Sequence, residues 1–233
     1  MQRTFISSYF NNRVNFERQL ETWQNYRLSL RQQIQFLLAD DASDSPLSVD
    51  QAPSLNLTIL RIDDDVGYNN GGARNLGAHV APNGWLLLCD IDHIVTSRAA
   101  SQMLQLDFDD ARVYDTFQRQ SLGKMLPPAP NILLIHRQTF WATGGYNEDL
   151  SGNYGGEDIL FRKILNGHAV QCPTMIELNV PANTSYDPPQ REPVRGRGDA
   201  NDALIAEKLA TPGYRPVRPL RFTWHKAFNH VLG

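Results

Sequence analysis

Trp85-Leu86-Leu87-Leu88-Cys89-Asp90-Ile91-Asp92-His93-Ile94 is the stretch whose reading decides the fold. Five largely apolar residues run straight into an Asp-x-Asp. An apolar run this short, bounded by Pro82-Asn83-Gly84, reads as a buried strand of a mostly parallel sheet. Along a strand, alternate side chains share a face. Asp90 and Asp92 are therefore expected to present their carboxylates together, with His93 on the opposite face. Two like charges at the mouth of an apolar strand are unfavourable unless a cation sits between them. A hard divalent ion that also holds a diphosphate, Mn²⁺ or Mg²⁺, suits carboxylate and phosphate oxygens. Ligands of open α/β sheets also gather beyond the carboxyl ends of the strands, where these residues fall. Alone, the pair reads equally well as turn or helix-capping aspartates, so the surrounding sequence has to decide.

Upstream, Thr4–Tyr9 is a short β-type run closed by Asn11-Asn12, and positions 13–30 carry Val14, Leu20, Trp23, Tyr26 and Leu30 at near-helical spacing. Ile34–Ala39 is a second strand, ending in Asp40-Asp41-Ala42-Ser43, and residues 45–53 form a Pro-containing loop. Leu55–Ile62 is a third strand, ending in Asp63-Asp64-Asp65. Strands that end in acids, with helical material between them, describe βαβ units of a parallel sheet. Asn69-Asn70-Gly71-Gly72 reads as a turn opening a helix over 73–80, whose free N–H groups suit an anion such as a phosphate. The alternative is a helix packed closely on the sheet through Gly77 and Ala78. Neither a P-loop nor a Gly-x-Gly-x-x-Gly is present.

Downstream, a helix is expected over 97–106, a strand over 112–118, a Pro-containing connection over 120–130 and another apolar strand over 131–136. Gly144-Gly145 and Gly152-Asn153-Tyr154-Gly155-Gly156-Glu157-Asp158 describe a shaped loop leading into an amphipathic helix over 159–166. Residues 181–198 read as irregular and 199–209 as a further helix; the mixed basic and aromatic tail after Tyr214 has no clear pattern.

Composition narrows the classes. The chain has 233 residues, 41% hydrophobic and 20% charged, enough to build a proper core. A net charge of −3 gives no electrostatic case for nucleic acid or an anionic membrane surface. No stretch approaches the ~20 apolar residues that span a bilayer, so no transmembrane segment is expected. There are two cysteines, and Cys89 inside the proposed strand reads as a small apolar filler. The expectation is a soluble protein of a reducing compartment, the cytoplasm.

Taken in order, Ser7-Ser8-Tyr9, Asp40-Asp41-Ala42-Ser43, Gly71-Gly72-Ala73-Arg74-Asn75, Asp90-Ile91-Asp92, Gly144-Gly145-Tyr146-Asn147-Glu148 and Gly156-Glu157-Asp158 resemble the nucleotide-sugar glycosyltransferases of the GT-A fold, above all the inverting family 2. The block from Phe140-Trp141 to Glu157-Asp158 also resembles the C-terminal part of the β-1,4-galactosyltransferases. The resemblance implies an α/β, Rossmann-like single domain over 1–233. Within it, 1–95 would be a nucleotide-binding half, 96–180 an acceptor half and 181–233 a C-terminal extension. It implies a UDP-sugar donor, a saccharide or glycoconjugate acceptor, and Mn²⁺ or Mg²⁺. By position it places Ser7, Tyr9, Asp41, Arg74 and Asp90 at the nucleotide sugar, and Asp90 with Asp92 at the metal. Asp158 becomes the base, beside Glu157, and Trp141, Tyr154, Gly155 and Gly156 line the acceptor. The downstream histidine that completes the galactosyltransferase metal site has no counterpart here, and Ile159 stands where those enzymes carry further acids.

Two other readings share these features. A nucleotidyltransferase acting on sugar phosphates shares the layout, but it needs a Gly-rich, cationic loop after the first strand, where this chain has Tyr9-Phe10-Asn11-Asn12. A non-catalytic carbohydrate-binding domain of the same fold would have lost acids, whereas Asp90, Asp92 and Asp158 are all present.

Overall fold

A computed structural model describes residues 2–49, 53–107, 109–129, 131–181, 199–217 and 219–232. Strand β1 (Gln2–Tyr9) is followed by helices α1 (Arg13–Gln24) and α2 (Leu28–Arg31), strands β2 (Ile34–Asp41) and β3 (Asn56–Ile62), helix α3 (Asn70–Val80) and strand β4 (Gly84–Leu88). Then follow α4 (Ser97–Met103), β5 (Arg112–Asp115), β6 (Gln118–Ser121), β7 (Lys124–Leu126), β8 (Leu133–His136) and α5 (Arg137–Ala142). The chain continues through α6 (Glu157–Leu165), β9 (Val170–Pro173), β10 (Glu177–Asn179), α7 (Asp199–Ala210) and β11 (Trp224–His230).

The main sheet runs β11-β3-β2-β1-β4-β8-β5-β9, and a small one runs β10-β6-β7. β3, β2, β1 and β4 are mutually parallel, while β8 and β11 pair antiparallel with β4 and β3. The expected α/β sheet, mostly parallel and flanked by helices, is therefore present. The two-residue period of each central strand divides the interior into two cores. Phe5, Phe36, Leu38, Leu57 and Leu87 point to one side, where Phe16 and Trp23 of α1 cover them, Trp23 stacking on Phe36 at 4.5 Å. Ile6, Leu37, Ala39, Leu60 and Leu86 point to the other, under Ala73, Leu76 and Ala78 of α3. A Cβ on Gly77 would sit 2.4 Å from Ile6 Cγ2, so α3 can lie this close to β1 only with glycine there.

Several expectations are corrected. The helix expected over 13–30 breaks after Gln24, because Arg27 is extended (φ −57°, ψ 145°). The strand expected over 112–118 stops at Asp115, where Thr116 takes φ 56°, and β6 leaves for the small sheet. The connection over 120–130 contains the β6–β7 hairpin. The turn expected over 69–72 is mostly helix already, because α3 begins at Asn70. The unpatterned tail contains β11, which adds to the edge of β3. Residues 182–198, expected to be irregular, lie outside the described residues. Among the described residues no helix is long and apolar enough to cross a membrane.

Candidate active site

The largest correction concerns Asp90 and Asp92. β4 ends at Leu88, one residue before its apolar run does, and Asp90–His93 forms a turn closed by His93 N–H donating to the Asp90 carbonyl at 3.1 Å. Strand alternation therefore does not apply, and His93 is not on an opposite face. One ligand atom from each of Asp90, Asp92 and His93 lies within 4.8 Å of the others. The turn is held from below by α1 and the residues after it: buried Gln19 Nε2 of α1 donates to the His93 carbonyl at 2.5 Å, and Tyr26 OH, just past the helix, donates to the Val95 carbonyl.

Within this group His93 Nδ1 lies 2.6 Å from Asp92 Oδ1 and His93 Nε2 lies 3.0 Å from Arg119 Nη1 on β6. Arginine only donates, so Nε2 is the acceptor and the ring proton sits on Nδ1, shared with Asp92. Burial pushes the Asp92 carboxyl up, but the His93 hydrogen bond and the Arg119 charge outweigh it and hold it below the usual range. The two carboxylates fit a Mn²⁺-type ion that completes its shell with phosphate oxygens, and His93 joins them only when Nε2 is released from Arg119.

A second group of acids meets the first through Arg74. Its side chain is wholly buried (0% exposed) on α3. Nη2 pairs with Asp90 Oδ1; Nη1 donates to Asp158 Oδ1 at 3.1 Å and to Tyr146 OH at 2.8 Å. Burial alone would lower the Arg74 pKa, but Tyr146, Asp90 and Asp158 carry it well above the ordinary value, so the cation persists. The other Asp90 oxygen accepts from Asn131 Nδ2.

Asp158 stands in the first turn of α6, which begins at Glu157, two residues before the expected start. Burial pushes its carboxyl up to about 7; Glu157 and Asp90 add to the rise, and Arg74 and Tyr146 oppose it. Glu157 is buried and accepts from Tyr68 OH at 3.1 Å and Asn70 Nδ2 at 3.4 Å, while Ser8 Oγ donates to Asn70. Gly156 precedes α6 in the left-handed region (φ 96°), and a Cβ there would meet Ile205 Cδ1 at 2.6 Å. Helix α7 clamps this loop: buried Asn201 Nδ2 donates to the carbonyls of Gly155, Asn153 and Leu150 at 2.7, 3.3 and 3.5 Å. Tyr154 is 43% exposed, with its ring edge-on to Tyr68 at 5.0 Å.

The remaining expected residues sit around this centre. Asp41 is buried at the end of β2 and accepts from Asn69 N–H, next to Asn70, at 3.1 Å. Ser7 is buried in β1, one residue before Ser8. Tyr9 is 4% exposed and edge-on to Phe16, so its ring is presented to the core. Trp141 packs on Phe140 at 4.9 Å and lies 3.0 Å from where a Gly145 Cβ would be, which is part of the second core rather than the acid cluster. Tyr68, Tyr146, Asn131 and Arg119 escaped the sequence reading of the site. Tyr146 lies inside a motif that had been noticed, but the other three have no local signal because they arrive from separate elements.

This architecture is the GT-A fold. Three solved structures share it. A crystal structure of S. aureus TarS 1-349 matches with a TM-score of 0.58 at 13% identity, over 78% of this chain and 60% of that one. The mannosyltransferase PcManGT from Pyrobaculum calidifontis, solved with GDP-Man and Mn²⁺, matches at 0.55 and 16%, over 76% of this chain and 56% of that one. GalNAc-T7, solved with UDP, GalNAc and Mn²⁺, matches at 0.55 and 13%, over 78% and 44%. The chain thus spans about three fifths or less of the length of these proteins. No family model and no curated protein matches the sequence.

Proposed function

We propose that the chain is an inverting glycosyltransferase that moves a hexose, such as galactose or N-acetylgalactosamine, from a UDP-sugar to a hydroxyl of a saccharide or glycoconjugate acceptor. The observation that carries this reading is the position of Asp158. Its raised carboxyl shares one buried arginine with the acidic group Asp90-Asp92-His93. Solved proteins of this fold that hold UDP-GlcNAc, or GDP-Man with Mn²⁺, support it.

Asp158 takes the proton of the acceptor hydroxyl. The oxygen then attacks the anomeric carbon on the face opposite UDP, the bond from that carbon to the diphosphate breaks, and UDP leaves with the electron pair. A base is most useful when its pKa lies near working pH, and about 7 meets that condition. Glu157 holds Tyr68 and Asn70 and thereby orients the turn that presents Asp158. Asp90, Asp92 and His93 would hold Mn²⁺ or Mg²⁺, which supplies positive charge for the departing diphosphate. Ser7 and Asp41 form the nucleotide side, with Tyr9 beneath them, its ring packed on Phe16 in the core. Tyr154, Gly155 and Gly156 form the acceptor side, while Trp141 packs in the second core.

The test is a thermal-shift panel of UDP-, GDP-, dTDP- and CMP-sugars with and without Mn²⁺, followed by proton NMR of the product. Stabilisation by UDP-sugars and a β-linked product from an α-linked donor are expected. An α-linked product removes the single-base mechanism.

A further inference from the structure

The resemblance places Arg74 at the nucleotide, and the structure places it elsewhere. Its side chain is fully enclosed, and both terminal nitrogens are already committed to groups of the protein. A phosphate could reach it only by displacing Asp90, Asp158 or the Tyr146 hydroxyl. Nε has no hydrogen-bond partner among the described residues, so the hydrogen bonds of this guanidinium lie with the two Nη groups.

We propose that Arg74 is a positioning residue: anchored on Asp90 and the Tyr146 hydroxyl, it fixes the orientation of the base Asp158. The inference rests on the assignment of Asp158 under the proposed function. Four segments that are distant in sequence meet at this one side chain: α3, the turn after β4, the loop at Tyr146 and the start of α6. The next residue on α3 secures the same loop by its backbone, because Asn75 Nδ2 donates to the Tyr146 carbonyl at 2.9 Å and Asn75 Oδ1 accepts from Tyr146 N–H at 2.8 Å. The Tyr146 ring stacks on Phe161 of α6 at 4.4 Å, with 15° between the planes. Arg74 and Asn75 therefore fix loop and helix together, and Asp158 is carried on that helix. Only a planar fork can span two carboxylates and a hydroxyl in this way; a lysine ammonium is a single point charge on a flexible stem. Losing the bridge would let the base drift, and a misplacement of about 1 Å can cost about a hundredfold in rate.

Arg74→Lys and Arg74→Gln test this, together with Asp158→Asn and the double variant Arg74→Lys/Asp158→Asn. For Arg74→Lys, kcat is expected to fall about a hundredfold, while the affinity for UDP with Mn²⁺ changes by no more than a few-fold. The double variant should be no slower than Asp158→Asn alone. Losses that multiply instead, or a loss confined to UDP affinity, overturn the inference and return Arg74 to the nucleotide. A measurement independent of turnover separates this from the base assignment: ¹³C NMR titration of the Asp158 carboxyl. Arg74, Tyr146, Glu157 and Asp90 face that group, and removing the Arg74 charge in Arg74→Gln should move its titration to higher pH. An unmoved titration refutes the bridge even if Asp158→Asn is inactive. An active Asp158→Asn refutes the base while the titration still reports on the bridge.

Discussion

Asp158→Asn separates a catalytic acid from a structural one, because it should remove a pH-dependent part of the stability while disabling the protein. In the folded state the carboxyl is raised from 3.8 to about 7, chiefly by burial. The folded chain therefore binds this proton more tightly than the unfolded chain does. The resulting stabilisation is complete below the unfolded value and is lost as pH rises through about 7. At roughly 1.4 kcal/mol per pH unit the full effect is about 4 kcal/mol, and about 3 kcal/mol of it disappears between pH 5 and pH 8. Only 16% of this side chain is exposed, so solvent screens little of it. Asparagine carries no titrating proton. The stability of Asp158→Asn relative to the parent should therefore climb by about 3 kcal/mol over that pH range, with the other ionisable groups cancelling in the difference. For a chain of this size that is about 6–12 °C in Tm. Urea or thermal unfolding of both proteins at pH 5 and pH 8 measures it. In parallel, kcat should fall by about 10²–10⁴, the usual contribution of a positioned proton transfer, and the parent's kcat/KM should rise with pH through about 7. A stability difference that stays flat with pH would show that the carboxyl is not held near neutrality, and near-parental activity would remove Asp158 from the chemistry.

Three further outcomes are expected. UDP at a hundredfold excess over Kd should stabilise the protein by about 2.7 kcal/mol with Mn²⁺ and by less in EDTA, and Asp92→Ala should abolish the difference; equal stabilisation in EDTA removes the metal site. Asp41→Ala should weaken UDP far more than inorganic diphosphate in calorimetry, and tighter binding of GDP or CMP than of UDP by the parent would sink the uracil assignment. Gly156→Ala forces a side chain into φ 96° and against Ile205, so it should cost about 1–3 kcal/mol and speed hydrogen exchange in α7; parental stability would show that the α7 clamp is not tight.

What the sequence determined by itself was the layered order of the fold. The apolar runs 34–39 and 85–89 could be read as central strands because a strand buried on both faces is largely apolar, and 55–62 could be read as a strand from its alternation of apolar and polar residues. Asp90 and Asp92 could be picked out because ligands of such sheets gather beyond the carboxyl ends of the strands, whereas the resemblance singles out Asp41 and Asp158. Three things needed tertiary structure. The break of the β4 ladder at Leu88 converts a strand into a turn and swings His93 in beside Asp92, which no two-residue period foretells. The place of β11 beside β3 is set by pairing across more than 150 residues, and local hydropathy does not report it. Arg74 reads as a surface cation near an anion site until three elements close over it. Its burial is then tolerable only because Asp90, Asp158 and the Tyr146 hydroxyl arrive from 16, 84 and 72 residues away to satisfy it.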